Sequence, residues 1–240
     1  MDTKTIPQRD VTDPRFDLLR HRFWRTLWRE VGLRDKTLGR TFTNIWASQV
    51  TLAGHGVDLG AKDARSSHFR FFQQLDAHIA FTDLLPQDSN VVRLDLEQPF
   101  PLDDRSQDFL LLMHVLEHVY ADEKCLAECH RVLKPGGRLI GAVPFLHHVH
   151  PDPDDYFRFT ASGLGRRLVD AGFQQPVVDP LGFGPMTAAS HLAQGLLPLG
   201  ALRFIAAAGA ITVDRLVRRL GQGKQMGAYP LAYGFVATKA

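Results

Sequence analysis

Short apolar segments alternate with amphipathic ones between residues 55 and 146, and this alternation leaves few folds open to the chain. "HGVDLGA" (55–61) has the character of a buried strand, and "DFLLLMHVL" (108–116) is apolar enough to be buried on both faces. "YADEKCLAECHRVLKPGG" (120–137) follows as an amphipathic helix that stops at its proline and glycines. Strands and helices at this spacing predict parallel βαβ units with right-handed crossovers.

Further segments extend the pattern in both directions. Apolar residues recur at helical spacing over about 17–30 and 38–48, ahead of the first strand. The remaining predicted elements are a helix at 66–75, strands at 78–86, 90–96 and 138–145, a helix ending at Gly172, and strands at 174–182 and 233–240. We treat residues 1–50 as an N-terminal helical segment, and 51–240 as one domain with an apolar helical insert at about 187–220.

Composition narrows the class of protein. The net charge of +2 over 240 residues gives no case for a nucleic-acid partner. Cys125 and Cys129 lie four residues apart in one predicted helix, which is neither a disulfide framework nor a zinc signature. The polar N-terminus is unlike a secretory signal, and no apolar run reaches the length of a spanning helix. We therefore expect a cytoplasmic protein.

The turn "DLGAKD" (58–63) bears on the cofactor. Dinucleotide sites need the pattern G-x-G-x-x-G, because the backbone must approach a pyrophosphate, and this turn has only Gly60. A cofactor without phosphates needs one glycine for close approach and carboxylates for its amino and hydroxyl groups, and S-adenosylmethionine fits that description. Asp83 comes 25 residues after Asp58, a suitable spacing for a carboxylate that accepts the ribose hydroxyls. Asp95 and Leu96 could hold an adenine.

Four segments in this order resemble a class I S-adenosylmethionine-dependent methyltransferase of the type-11 group: "VDLGA", "FTDL", "LDLEQPFPLDDRSQDFLLLMHVLEHV" and "RVLKPGGRLIGAVP". The resemblance implies a Rossmann-like α/β three-layer sandwich of about seven strands, mostly parallel with an antiparallel last strand. It also implies S-adenosylmethionine as cofactor, and an N-terminal segment that covers it. The cofactor-binding residues that the resemblance implies are Asp58, Gly60, Ala61, Asp83, Asp95, Leu96 and His114, and we add Lys62 and Leu84 beside them as candidates.

The family usually carries further glycines near positions 62 and 64, where this chain has Lys62 and Ala64. Lys62 could repel a sulfonium or pair with the carboxylate of the cofactor. This departure supports a second hypothesis, a catalytically silent member of the fold that acts as a binding or scaffold protein. A nicotinamide dehydrogenase is disfavoured by the glycine-poor turn.

Residues 114–118, "HVLEH", formally match the inverted zinc-protease motif H-x-x-E-H. That chemistry needs both histidines on one helical face. Because a buried strand precedes the motif, we expect His114 and His118 to straddle a turn and to face different ways. Glu117 and His118 would then organise the turn, and we predict no metal ion.

The loop "FLHHVHPDPDDYFRFT" (145–160) follows the fifth strand and is rich in polar side chains. It resembles a stretch in bacterial members tied to glycan or cell-surface biosynthesis. Three interpretations stay open: acceptor binding with a histidine or aspartate base, a hydrogen-bonded structural loop in which Thr160 caps the next helix, and a metal site. The candidate catalytic residues are His150, His147, Asp155 and Tyr156, with Asp155 orienting either histidine.

The insert at 187–220 is too apolar for a plain surface loop and ends in a basic stretch. It could cap the active site, form a homodimer interface, or rest on a membrane to reach a lipid-linked acceptor. The sequence as a whole predicts a methyltransferase acting on a small molecule or a glycan intermediate.

Overall fold

The computed structural model describes residues 20–61, 66–222 and 228–240. Within them, seven strands form one sheet in the order β3-β2-β1-β4-β5-β7-β6. Their bounds are β1 Thr51–Leu59, β2 Gln73–Asp83, β3 Val91–Arg93, β4 Gln107–Met113, β5 Leu133–Pro144, β6 Gln174–Leu181 and β7 Ala232–Thr238. β7 is antiparallel to both β5 and β6, and the other pairings are parallel. The predicted Rossmann-like sheet with an antiparallel last strand is confirmed.

Helices cover both faces of the sheet and make three layers. Their bounds are α1 Arg20–Leu27, α2 Leu38–Ala47, α3 Asp122–Val132, α4 Ala161–Asp170, α5 Pro185–Leu192 and α6 Gly200–Val217. The residues of α3 and α4 share one apolar core with the sheet, and those of α1, α2, α5 and α6 share the other. β4 shows why, because Leu110 and Leu112 enter the first core while Phe109 and Leu111 enter the second.

The helix predicted over 66–75 is wrong. The described part of this segment holds a single 3₁₀ turn, Ser67–Arg70, and β2 already begins at Gln73. Thr51 to Leu59 of β1 pair with β2, so the backbone groups that these two strands turn towards each other are satisfied. Long-range pairing has overridden the helical spacing of the aromatic residues here.

The segment 187–220 begins at the third residue of α5. It contains the rest of that helix, a 3₁₀ turn at Gln194–Leu196, and α6. Met186 and Thr187 near the start of α5 donate their backbone N–H groups to the buried carboxylate of Asp214 on α6, which ties the two helices together. Among the described residues, no helix is both long and apolar enough to cross a membrane.

Candidate active site

A cavity of about 310 Å³ opens at the carboxyl ends of β1 to β4, and we call it the strand-end cavity. It is where an open parallel sheet places its ligand. Six of the predicted cofactor residues line it: Gly60, Asp83, Leu84, Asp95, Leu96 and His114. Glu97, Val115, His118 and Tyr156 are also in its wall.

Gly60 allows the turn after β1 to pass close to the opposite wall. Its φ of +83° lies in the left-handed region, and an added Cβ would meet Val115 Cγ2 at 2.5 Å. The backbone N–H groups of Gly60 and Ala61 both donate to the carbonyl of Thr82 at 2.8 Å. The turn is therefore held to β2 by its own backbone.

Two aspartates of the cavity are positioned by the backbone that follows them. Asp83 Oδ1 accepts from the N–H of Leu85, and Asp95 Oδ1 accepts from the N–H of Glu97, each at 2.9 Å. Short turns of this kind fix the side chain of the first residue. Both carboxylates are therefore held at the rim of the same cavity, although they come from different strand ends.

Two of the predicted cofactor residues that the structure describes, Asp58 and Ala61, are not among those that line the cavity. Asp58 is buried beside His68, with Asp58 Oδ2 3.6 Å from His68 Nε2, and burial raises the pKa of Asp58. Ala61 is buried behind the turn. Lys62 lies outside the described residues. The two hypotheses for it, repulsion of a sulfonium and pairing with the carboxylate of the cofactor, therefore stay predictions.

His114 joins this cavity to a second one, because it lines both. It follows β4 with a φ of +59°, a conformation that a side chain other than glycine rarely adopts and that is typical of functional sites. Its Nε2 lies 3.0 Å from the hydroxyl of Thr43 on α2. Burial, with the nearby Arg40 guanidinium, lowers the pKa of His114 well below its usual value, so the ring is neutral near pH 7.

The second cavity, of about 270 Å³, lies between the start of α2 and the loop after β5, and we call it the α2 cavity. It is lined by Asp35, Lys36, Thr37, Gly39, Arg40, His114, Pro144, His147, His148, His150, His191, Leu231 and Ala232. Several described residues of the segment 20–50 line the α2 cavity, and none of the described ones lines the strand-end cavity. The described part of the N-terminal segment is linked to the strand-end cavity through His114, which lines that cavity and contacts Thr43 of α2.

His147 and His191 are in contact with each other in the wall of the α2 cavity. Their rings are stacked, with His147 Nδ1 3.3 Å from His191 Nε2. Burial and the neighbouring His148 lower the pKa of His147 to about 3, and burial lowers that of His191 to about 4. Both rings are neutral near pH 7.

The loop after β5 is held by Asp155. One of its carboxylate oxygens accepts from the His150 N–H at 2.9 Å and lies 3.3 Å from His150 Nδ1, and Arg158 pairs with both oxygens. This pairing with Arg158 lowers the pKa of Asp155. Asp155 thus contacts His150, and no contact to His147 is seen. Thr160 caps α4 by accepting from the Gly163 N–H, as predicted.

Tyr156 belongs to the other side of this loop. It lines the strand-end cavity, not the α2 cavity, and its hydroxyl donates to Asp154 Oδ2 at 3.0 Å. Its ring packs edge-on against Tyr120. Of the four candidate catalytic residues, His147 and His150 line the α2 cavity and Tyr156 lines the strand-end cavity, while Asp155 is in neither wall and contacts His150.

The "HVLEH" motif does straddle the end of β4 and a 3₁₀ turn at Leu116–His118, as predicted. His114 Nδ1 lies 4.0 Å and His118 Nε2 3.8 Å from Glu117 Oε1, so both rings approach one carboxylate although the motif does not form one helical face. His150 Nε2 approaches the same oxygen at 3.7 Å. The turn directs Glu117 inward, and the rings converge on it.

Several residues at these cavities were not predicted from the sequence. Arg40 and His191 line the α2 cavity, Thr43 contacts His114, and Glu117 lies between the two cavities. Arg40 and Thr43 lie on a helix that precedes the sheet, and His191 lies on α5. No local pattern marks these three, whereas Glu117 was visible in its motif.

Comparisons with known proteins agree with this geometry. A family model described as a methyltransferase domain matches residues 46–141. Over 97 residues the chain is 36% identical to an uncharacterized 37.1 kDa protein in transposon TN4556 of Streptomyces fradiae. That alignment takes in 34% of this chain and 28% of the relative, so the chain matches less than a third of the relative's length.

Solved structures share the fold at low identity. A SAM-dependent methyltransferase from Thermotoga maritima, described as a possible histamine N-methyltransferase, aligns with a TM-score of 0.54 and 16% identity over 94% of this chain and 98% of its own. A phosphoethanolamine N-methyltransferase from Haemonchus contortus, in complex with phosphomonomethylethanolamine and S-adenosylhomocysteine, aligns with a TM-score of 0.51 and 13% identity over 82% of this chain and 52% of its own. Residues 46–141 thus match the methyltransferase-domain family, and the sheet as a whole has the fold of S-adenosylmethionine-dependent methyltransferases.

Proposed function

We propose that the protein binds S-adenosylmethionine in the strand-end cavity and transfers its methyl group to a small-molecule or glycan acceptor in the α2 cavity. The observation that carries the proposal is the convergence of Gly60, Asp83, Asp95 and His114, from four strand ends, on one cavity. The family match and the cofactor named in the solved relatives support the same choice.

The residues fit this cofactor in size and polarity. Gly60 leaves room that a side chain would fill against Val115. Asp83 and Asp95 present carboxylates where hydroxyl and amine donors of a nucleoside would lie, and Leu84 and Leu96 supply apolar walls for a ring. Bound S-adenosylmethionine supplies an activated methyl group on a sulfonium.

The acceptor side follows from the geometry around His114. This ring lines both cavities, so an acceptor in the α2 cavity would lie next to a cofactor in the strand-end cavity. The chain's task is then to hold the acceptor in line with the methyl group and to exclude water. His150, in the acceptor wall and oriented by Asp155, is placed to take a proton from the acceptor, whereas the lowered pKa of His147 makes that ring a weak base that would help to bind the acceptor.

The proposal is tested by calorimetry with S-adenosylhomocysteine. We expect micromolar binding to the unmodified chain, and a loss of roughly ten- to a hundredfold in Asp83→Ala because a charged hydrogen-bond acceptor is removed. Asp103→Ala is the matched control, since Asp103 is exposed and outside the wall of either cavity. Equal affinity in Asp83→Ala and Asp103→Ala would contradict the assignment of the cavity.

The alternative is a catalytically silent binding or scaffold protein. It rests on Lys62 and Ala64, which replace the glycines usual in the family. Absence of any heat with millimolar cofactor, in a chain shown to be folded by circular dichroism, would favour this second function.

A further inference from the structure

Glu117 is an unusual carboxylate because it is fully buried and unsatisfied. Its side chain has no exposed surface, and neither oxygen has a hydrogen-bond partner among the described residues. A buried carboxylate needs a cation or several hydrogen bonds to offset the loss of water. A cation next to Glu117 would offset this loss.

Two adjacent histidine rings, packed edge to face, present nitrogen atoms to this carboxylate. His118 Nε2 lies 3.8 Å and His150 Nε2 3.7 Å from Glu117 Oε1. These distances are longer than hydrogen bonds. A tetrahedral ion with bonds of about 2.1 Å separates its ligand atoms by roughly 3.4 Å. The three donor atoms, all within 4.8 Å of one another, leave a gap close to the size of such an ion.

The remaining ring nitrogens are engaged in the manner typical of metal-bound histidine. His118 Nδ1 lies 2.5 Å from the carbonyl oxygen of Asp154, and His150 Nδ1 lies 3.3 Å from Asp155 Oδ2. An acceptor at Nδ1 places the ring proton there and leaves the Nε2 lone pair free to bind a metal. Both rings are thus arranged with a ligand atom aimed at Glu117.

We propose that Glu117, His118 and His150 bind one divalent transition-metal ion of the zinc class. Two imidazoles and one carboxylate suit zinc, iron or nickel better than magnesium or calcium, which prefer oxygen donors. This assignment replaces the sequence-based prediction of no metal. His114 Nδ1, 4.0 Å from Glu117 Oε1, is near enough to serve as a fourth neighbour.

The position of this site bears on the acceptor. His118 lines the strand-end cavity and His150 lines the α2 cavity, so the ion would lie at their junction. Three protein ligands leave an open position for a small molecule. On the proposed methyl transfer, that position would take an oxygen of a hydroxyl- or carboxylate-bearing acceptor. His150 would then be a ligand, and the ion would take over from it the task of favouring loss of a hydroxyl proton.

Two other cations compete to neutralise Glu117. Arg40 acts on it through space, but its charge also acts on Asp58, and one of its terminal nitrogens has no hydrogen-bond partner among the described residues. A protonated His150 is the other candidate, since Glu117 raises the pKa of that ring. Either would make the site an ion pair without metal.

The test uses the full chain, stripped with a chelator and titrated with Zn²⁺ alone, with metal content read by mass spectrometry. We expect one equivalent per chain, and a loss of affinity of at least about tenfold in Glu117→Gln and in His118→Gln. Co²⁺ in place of Zn²⁺ should give visible absorption bands that disappear in both variants. Circular dichroism verifies that each variant is folded.

Matched controls separate this site from adventitious binding. His148→Gln removes an exposed histidine of the same loop, and His55→Gln removes half of an exposed stacked histidine pair on β1 and β2. We expect both to keep the equivalent of Zn²⁺. Unchanged affinity in Glu117→Gln, or loss only in His55→Gln, or no Zn²⁺ above background, would overturn the proposal.

The outcome is independent of cofactor binding. Asp83→Ala should lose S-adenosylhomocysteine and keep Zn²⁺, because Asp83 is not one of the three ligands. Glu117→Gln should lose Zn²⁺ and keep S-adenosylhomocysteine. Zn²⁺ bound by the three ligands in a chain without cofactor affinity would uphold the metal site and refute the methyltransferase function.

Discussion

Two glycines with left-handed backbone show what a single missing side chain contributes. Gly60 and Gly136 have φ values of +83° and +78°. A Cβ at Gly60 would meet Val115 at 2.5 Å, whereas a Cβ at Gly136 would meet nothing within 4 Å. Both positions therefore need glycine for the backbone, but only at Gly60 does glycine also preserve a cavity wall.

We predict that Gly60→Ala lowers the free energy of unfolding by about 2–4 kcal/mol, against about 1–2 kcal/mol for Gly136→Ala. The difference arises because alanine at 60 also displaces Val115 from the strand-end cavity. Affinity for S-adenosylhomocysteine should fall roughly tenfold in Gly60→Ala alone. Urea unfolding measures the loss of stability and calorimetry the loss of affinity. Equal losses of stability in both variants would contradict the predicted clash with Val115.

His114 illustrates how a side chain gains a role from its surroundings. Its strained backbone, the Thr43 hydroxyl and burial together keep one neutral ring between two cavities. The sequence predicted contact with a cofactor from its position after the fourth strand. Its contact with α2, 71 residues away in the chain, was not predicted because nothing local encodes it.

The central strands pack so closely that β5 depends on a residue without a side chain. A Cβ at Gly141 would meet Phe235 of β7 at 2.3 Å and the carbonyl oxygen of Leu112 on β4 at 2.6 Å. The second neighbour is backbone within a paired strand and cannot move freely. In α6, by contrast, Gly209 is exposed and a Cβ there would meet nothing within 4 Å.

We predict opposite signs for the same substitution at these two glycines. Gly141→Ala should destabilise the fold by about 2–3 kcal/mol through overpacking between β4 and β7. Gly209→Ala should stabilise it by about 0.5–1 kcal/mol, since alanine is the better helix former. Denaturant unfolding of both variants gives the comparison, and a neutral Gly141→Ala would show that the sheet relaxes more than its packing suggests.

The surface of the molecule has an apolar region formed by the segment after α5 and by α6. The exposed fractions of Leu196 and Ile205 are 83% and 63%, while Ile211 on the same helix is fully buried. Leu199 and Leu216 are further exposed members of this region, and the exposed Leu192, at the end of α5, and Leu220, just after α6, flank it in the chain. The sequence hypotheses of a homodimer interface or a membrane contact both concern this surface.

We expect the double variant Leu196→Gln, Ile205→Gln to retain the stability of the fold within about 0.5 kcal/mol, because exposed side chains contribute little to the core. Association with a second copy, or with anionic phospholipid vesicles, should weaken in it. Size-exclusion chromatography and vesicle sedimentation distinguish the two partners. Ile211→Ala, a buried position, should instead cost about 2–5 kcal/mol.

The fold was largely predictable because its signals are local. The apolar run of β4, the helical stripe of α3 and the glycines after it follow from periodicity and turn chemistry. The segment 66–75 was mistaken because its aromatic spacing suits a helix, while its true partner, β1, lies about twenty residues earlier. Strand pairing of this kind is not visible in a local window.

The same distinction between local signals and long-range contacts applies to the candidate site. Its strand-end part, with Gly60, Asp83 and Asp95, could be inferred from spacing and from resemblance, because parallel strands must end at one edge. The convergence of His118 and His150 on Glu117 could not, since it depends on a loop more than thirty residues away folding back over the turn after β4. Periodicity in the chain sufficed for the layers and the cofactor edge, whereas long-range packing brought together the buried carboxylate and its histidines.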